Sequence, residues 1–232
     1  MLFDIDGTML RTRGVGVSAF LEAAQSLFKV ELTFDGVEVH GRTDPLIWQA
    51  LAKRNGIEDH APYAEQLREC YHRVLKDRVD EGGMQFDALA GAAGLIRAVD
   101  DHAAMTAGIL TGNFQETGEI KLHAAGFDPA VFEVCAWGAD ASTRRGLPLV
   151  AIKRFQQAVG RSIAAHEVVI IGDTIHDVDC ARANGCWAIA VATGGDTKET
   201  LAACEPDLLV DDLSDTAGIM DWILARAGSM PV

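Results

Sequence analysis

The sequence is short of positive charge and of long apolar runs. Its 20 Lys and Arg face 34 Asp and Glu, a formal net charge of −14, whereas a surface that grips nucleic acid or an anionic membrane needs clustered Lys and Arg. Neither partner is expected, although a small anionic substrate is still admissible because a site can be locally positive. No apolar run approaches the roughly 20 residues that cross a bilayer. Asp4 and Asp6 stand where a secretion signal carries positive charge followed by unbroken apolar residues. A soluble protein of the cytoplasm is the expectation. Cysteine is also sparse: Cys70, Cys135, Cys180, Cys186 and Cys204 are odd in number, scattered and without a C-x-x-C pair. That pattern supports neither a disulfide framework nor a zinc site. Internal repeats and low-complexity tracts are lacking as well.

What is present suits a globular chain. With 232 residues and 49% apolar content, the chain can form one large α/β domain, or a core domain carrying a smaller insertion. From about residue 86 onward short apolar runs alternate with amphipathic stretches. Met105–Leu110, Val134–Ala136, Val168–Ile171, Trp187–Val191 and Leu208–Val210 read as buried strands. Phe114–Ala125, Pro148–Val159, Ile175–Asn184 and Thr197–Cys204 read as helices, several stopped by Gly126, Gly160 or Gly185. Strict alternation implies a doubly wound parallel sheet with right-handed crossovers. Val15–Phe28, Pro45–Asn55 and Pro62–Asp80 break the rhythm with helical spacing and no strand, which predicts an inserted small α-helical cap over residues 14–83. The core is then 1–13 and 84–232, with the Gly82-Gly83 pair marking the return to the sheet. Gly14-Val15-Gly16-Val17-Ser18-Ala19 matches a dinucleotide G-x-G-x-x-A pattern but begins ten residues after Asp4, so it reads as the hinge into the cap. The first strand, Met1 to Phe3, is short for a central one, which leaves room for a few residues upstream of Met1.

Acids cluster at strand ends. Asp4-Ile5-Asp6-Gly7-Thr8 places two carboxylates two positions apart after the first strand, where an extended chain points both to one face. Gly172-Asp173-Thr174-Ile175-His176-Asp177 does the same after a later strand, with Asp177 at the first turn of the next helix. In open α/β sheets ligands bind beyond these carboxyl ends. Several carboxylates at one point repel unless a cation joins them, and hard oxygen donors without a His/Cys cluster select Mg²⁺. Thr111-Gly112-Asn113, between a strand and a helix, combines a hydroxyl, exposed backbone N–H groups and a helix N-terminus, which together form a cradle for phosphate. Asn113 caps that helix or touches phosphate directly. His176, between Asp173 and Asp177, reads as a surface or supporting residue.

In this arrangement the chain resembles the haloacid dehalogenase (HAD) superfamily of hydrolases, in particular phosphoglycolate phosphatase-like members with a small helical cap. The resemblance rests on D-x-D-G-T at Asp4 to Thr8, Thr111, and G-D-T-x-x-D at Gly172 to Asp177. It implies a Rossmann-like core, with Asp4 as nucleophile, Asp6 as general acid and then base, and Thr111 with the Gly112 and Asn113 amides around the phosphoryl oxygens. It further implies Mg²⁺ on Asp4, the Asp6 carbonyl, Asp173 and Asp177, and Gly7 and Thr8 beside the substrate. The family's Lys-Pro is missing: Thr143-Arg144-Arg145-Gly146-Leu147-Pro148 stands instead, which gives Arg144, or else Arg145, the cationic role. Arg42 either binds a substrate carboxylate or is solvated. The implied activity is hydrolysis of a small phosphorylated metabolite by a monomer or homodimer. The rivals are a phosphomutase, a metal-free 2-haloacid dehalogenase, and a non-catalytic binding protein that keeps the fold.

Overall fold

A computed structural model describes residues 1–82 and 86–227 of the chain. The chain opens with β1 (Leu2–Phe3) and β2 (Leu10–Arg11), then runs through three helices, α1 (Val15–Phe28), α2 (Asp44–Arg54) and α3 (Ala64–Asp80). It resumes with β3 (Asp87–Ala88), α4 (Ala92–Asp100), β4 (Gly108–Leu110), α5 (Gln115–Ala124), β5 (Val134–Ala136) and α6 (Leu147–Val159). The remainder is β6 (Val169–Gly172), α7 (Ile175–Asn184), β7 (Trp187–Val191), α8 (Lys198–Ala203), β8 (Leu208–Val210) and α9 (Thr216–Ala227). Six strands form one sheet in the order β5-β4-β1-β6-β7-β8, every pairing parallel. β2 and β3 form a small antiparallel pair.

The fold class is therefore α/β with a doubly wound parallel sheet, as expected. The period-2 alternation of strand side chains builds its two layers. Phe3, Ile109, Ile171 and Ile189 enter one buried cluster with Leu95 and Ile96 of α4 and Ile219 of α9. Leu2, Leu110, Ile170 and Ala188 enter the other, against Ala151 and Phe155 of α6 and Val178 of α7. Each fully buried Leu, Ile or Phe contributes about 1.5–3 kcal/mol.

The helices α1 to α3 share the first cluster through Phe20, Leu51 and Leu75. Aromatic pairs hold them together: Phe20 meets Tyr71 edge-on at 5.0 Å, and Phe28 stacks on Trp48 at 5.7 Å. Gly14 caps α1 at φ 82, a left-handed conformation that glycine adopts without strain. The G-x-G-x-x-A stretch thus opens a helix.

Several boundaries differ from expectation. The strand expected from Met105 begins only at Gly108, because β1, its partner, has Leu2 as its first paired residue. Pro62 lies in a short 3-10 turn (Ala61–Tyr63) ahead of α3. The β2–β3 pair, α4 and α9 were not foreseen, since each is short or glycine-interrupted. Gly83 of the expected Gly82-Gly83 return lies outside the described residues.

Candidate active site

β1 is the switch point of the sheet: the chain leaves it for β4 on one side and later reaches β6 on the other. Such a point opens a crevice beyond the carboxyl ends. Asp4 follows β1, Thr111 follows β4 and Asp173 follows β6. The Asp4 amide donates to the Ile171 carbonyl at 2.9 Å, which extends the ladder one residue beyond the strand.

Carboxylate oxygens of Asp4, Asp173 and Asp177 lie within 4.8 Å of one another, and all three residues are buried. Burial raises the Asp4 carboxyl to about 6, partly opposed by Arg144 and reinforced by Asp177 and Asp6. Burial, then Asp4 and Asp177, hold Asp173 well above the ordinary carboxylate range. A crowded, dry set of hard oxygens that resists ionisation suits a divalent cation, which would remove the repulsion.

The supports of this triad explain the glycines around it. A Cβ at Gly7 would fall 2.3 Å from an Asp173 oxygen, and one at Gly172 would fall 2.0 Å from the Asp177 carboxyl carbon. Thr8 Oγ1 donates to Asp173 Oδ1 at 3.0 Å, and the Gly195 amide donates to Asp173 Oδ2 at 2.6 Å. Gly7 and Thr8, expected beside the substrate, both abut Asp173: Thr8 is fully buried and donates to it, and Gly7 lies too close to it to carry a side chain. The Gly194-Gly195 turn after β7 escaped sequence reasoning because it carries no side chain to signal chemistry. Asp177 Oδ2 accepts from the Thr174 amide and hydroxyl, a capping box that fixes the start of α7.

The two arginines separate. Arg144 is buried, with its guanidinium 3.3 Å from Asp4 and hydrogen-bonded to Asp177 and to the Gly41 carbonyl. Although burial opposes it, Asp177 and Asp4 hold the guanidinium firmly charged. Arg145 is on the surface, paired with Asp179. Cys180 Sγ donates to the Arg144 carbonyl at 3.1 Å, which pins the turn that carries it.

Asp4, Asp6, Thr111, Gly112, Asn113, Arg144, Asp173 and Arg42 line one cavity of about 160 Å³ with residues from α1 to α3. Arg42 is half-exposed, 3.7 Å from Glu38, and reaches this cavity from the segment before α2. That segment is stitched to the Thr111–Asn113 turn. The Asp44 amide donates to the Gly112 carbonyl at 2.7 Å, and the Phe114 amide donates to Asp44 Oδ2 at 2.8 Å. Gly112 has to be glycine, because a Cβ there would lie 2.1 Å from the Arg42 carbonyl oxygen. His176 pairs with Glu38 at 3.0 Å, at the rim.

Asn113 does not cap α5. Its amide nitrogen donates to Asp6 Oδ2 and to Thr111 Oγ1, both at 2.8 Å. Its amide oxygen accepts from Lys121 Nζ, which also donates to Asp6 Oδ1 and Oδ2 at 3.0 and 2.8 Å. Sequence reading missed Lys121, Tyr71 and Asp44. The one available signal was spacing: Thr117 and Lys121, four residues apart in α5, share a helix face.

Acids gathered beyond the ends of parallel strands, beside a glycine-containing turn and a buried arginine, form the arrangement that the resemblance to HAD hydrolases implies. Comparison with known proteins agrees. A HAD-hydrolase-like family model matches residues 148–216, the stretch that contains Asp173 and Asp177. The phosphoglycolate phosphatase of Shigella boydii is 25% identical over 92% of this chain and 88% of its own. A hydrolase from Pseudomonas syringae superposes with TM-score 0.73 at 21% identity, covering 96% of this chain and 97% of its own. A β-phosphoglucomutase from Clostridium difficile superposes with TM-score 0.69 at 15% identity, covering 98% and 97%. These likenesses support a HAD-superfamily, phosphoglycolate phosphatase-like protein with the α/β fold of HAD-type hydrolases.

Proposed function

We propose that this enzyme is a Mg²⁺-dependent phosphatase that hydrolyses a small phosphate monoester through an aspartyl-phosphate on Asp4. The observation that carries the reading is the convergence of Asp4, Asp6, Thr111 and Arg144 on one cavity, backed by the buried carboxylates of Asp173 and Asp177. Residues 1–13 and 84–232 form the catalytic core, and residues 14–83 form a cap that closes over it and selects the leaving group. The reaction takes place in the cytoplasm, in a monomer or homodimer.

Asp4, the Asp6 carbonyl, Asp173 and Asp177 would hold Mg²⁺, whose chemistry is to neutralise charge on the nucleophile and the phosphoryl oxygens. Asp4 attacks phosphorus while the ester P–O bond breaks, and Asp6 protonates the departing oxygen. Asp6 then takes a proton from water, whose oxygen attacks the same phosphorus; the bond to Asp4 breaks and inorganic phosphate leaves. Thr111 and the Gly112 and Asn113 amides cradle the phosphoryl oxygens as charge redistributes. Arg144 Nε is buried without a protein partner, which leaves a donor for the same group.

Phosphate release from p-nitrophenyl phosphate and a panel of small phosphate esters, with Mg²⁺ or with EDTA, tests the reading. Mg²⁺-dependent turnover that disappears in Asp4→Asn is expected, and a folded protein that releases no phosphate from any ester would overturn it. The likeness to a β-phosphoglucomutase and the pair Asp4 and Asp6 keep a phosphomutase as the second reading. Conversion of a sugar phosphate to its isomer without release of phosphate would identify one.

A further inference from the structure

Among the described residues, Lys121 and Arg144 are the two buried cations. Arg144 occupies a role that the motifs foresee; Lys121 belongs to no motif. Lysine is almost never fully buried unless paired, because stripping water from its ammonium costs several kcal/mol. Lys121 is 4% exposed in the last turn of α5, and its partners lie at the chemistry.

Lys121 Nζ donates to both oxygens of Asp6 and to the Asn113 amide oxygen, while the Asn113 amide nitrogen donates to Asp6. Three side chains thus satisfy one another in a closed triangle. A fourth group comes from the cap helices: the Tyr71 hydroxyl of α3 lies beside the Lys121 ammonium. Space for this contact is reserved on α1, since a Cβ at Gly16 would stand 3.3 Å from Lys121 Nζ and 3.4 Å from Tyr71 Oη. Asp6 itself is 37% exposed beyond a two-residue strand, with nothing in its own segment to fix its rotamer. One hydrogen bond would leave the carboxylate free to swing, whereas donors on both oxygens remove that freedom.

We propose that Lys121 is a positioning residue that fixes the Asp6 carboxylate toward the cavity, with Tyr71 completing the clamp only while α3 is seated over the core. The inference rests on the phosphatase reading for its catalytic consequence, though not for its geometry. Lys121 keeps its protons throughout and acts through hydrogen bonds. The proton that reaches the leaving oxygen comes from Asp6, and Asp6 later takes one from water.

Lys121→Met preserves length and removes the donors. With an alkyl phosphate, whose leaving group needs protonation, its kcat is expected to fall about 10²-fold, with KM within about threefold and a smaller loss on p-nitrophenyl phosphate. In an Asp6→Asn background the same substitution is expected to cost less than about threefold, the non-additivity of residues that act as a unit. An equal loss in both backgrounds, or a raised KM with unchanged kcat, would overturn the inference. A crystal structure of Lys121→Met gives a second readout independent of turnover: the Asp6 carboxylate should leave its clamped rotamer, and an unmoved Asp6 sinks the proposal even if the chain hydrolyses nothing. A wild type without phosphatase activity would count against the proposed function alone. If Lys121→Met does not fold, Tyr71→Phe carries the test. A fall in kcat of about 3- to 10-fold at unchanged melting temperature is expected, and an unchanged kcat overturns the clamp.

Discussion

Two charge clusters meet at the cavity, and they are built by opposite means. On one side Asp4, Asp173 and Asp177 crowd together with Arg144. Every member lies at or just beyond a strand end or helix start, held by short-range turns, and the acids outnumber the cation. On the other side Asp6, Asn113, Lys121 and Tyr71 form a nearly neutral set assembled from β1, α5 and α3. The first cluster holds unbalanced charge that a bound cation would settle; the second is satisfied by protein alone. Strained acids suit a centre that must receive something, whereas a closed network suits a group that must stay in place.

The largest test of this contrast is Asp4→Asn, which should abolish phosphate release, a loss of at least about 10³-fold in kcat, at little cost to folding because it relieves crowding. Activity left intact would remove Asp4 from the chemistry. Next comes the arginine pair. Arg144→Met strands Asp4 and Asp177 without their cation and should destabilise the chain by about 3–5 kcal/mol in urea unfolding. Arg145→Met breaks only an exposed pair and should cost at most about 1 kcal/mol; equal losses would erase the distinction between them. Third, Mg²⁺ at about 100 times its Kd should stabilise the wild type by about 2.7 kcal/mol, read as a raised melting temperature. Asp173→Asn should lose most of that response, and a full response would place the cation elsewhere.

The smallest effect concerns Asp44, next to the second cluster. Burial pushes its carboxyl up to about 6, with Lys121 and the Phe114 amide opposing, against about 3.9 in an unfolded chain. The folded chain therefore holds this proton more tightly than the unfolded one does. The stability it gives is complete below about pH 4 and is lost as pH rises through about 6. Thermal melts of metal-free protein should show that fall, and Asp44→Asn should reduce it, leaving the share due to Asp4 and Asp173. An unchanged slope would mean that Asp44 ionises normally.

The difference between the clusters also governs what the sequence discloses. Asp4, Asp6, Asp173 and Asp177 could be read from local pattern, because apolar runs end at them and the alternation of strand and helix brings those ends together. Thr111 and Gly112 were legible for the same reason. Arg144 was separable from Arg145 only by the turn that buries one and exposes the other. Lys121, Tyr71 and Asp44 were out of reach: each looks like an ordinary helix residue, and its role depends on how deeply α3 and the start of α2 sit against α5. The sheet was legible in its order of elements and less so in its boundaries, since the start of β4 is set by pairing with β1.

The stitch between Asp44 and the Gly112–Phe114 backbone has a consequence for how the molecule is made. Its partners stand 70 residues apart, so closing this loop costs entropy before the contact repays it. The turn after β4 therefore acquires its final support only after α2 has formed and docked. The catalytic pocket should mature late in refolding, behind the sheet that carries it.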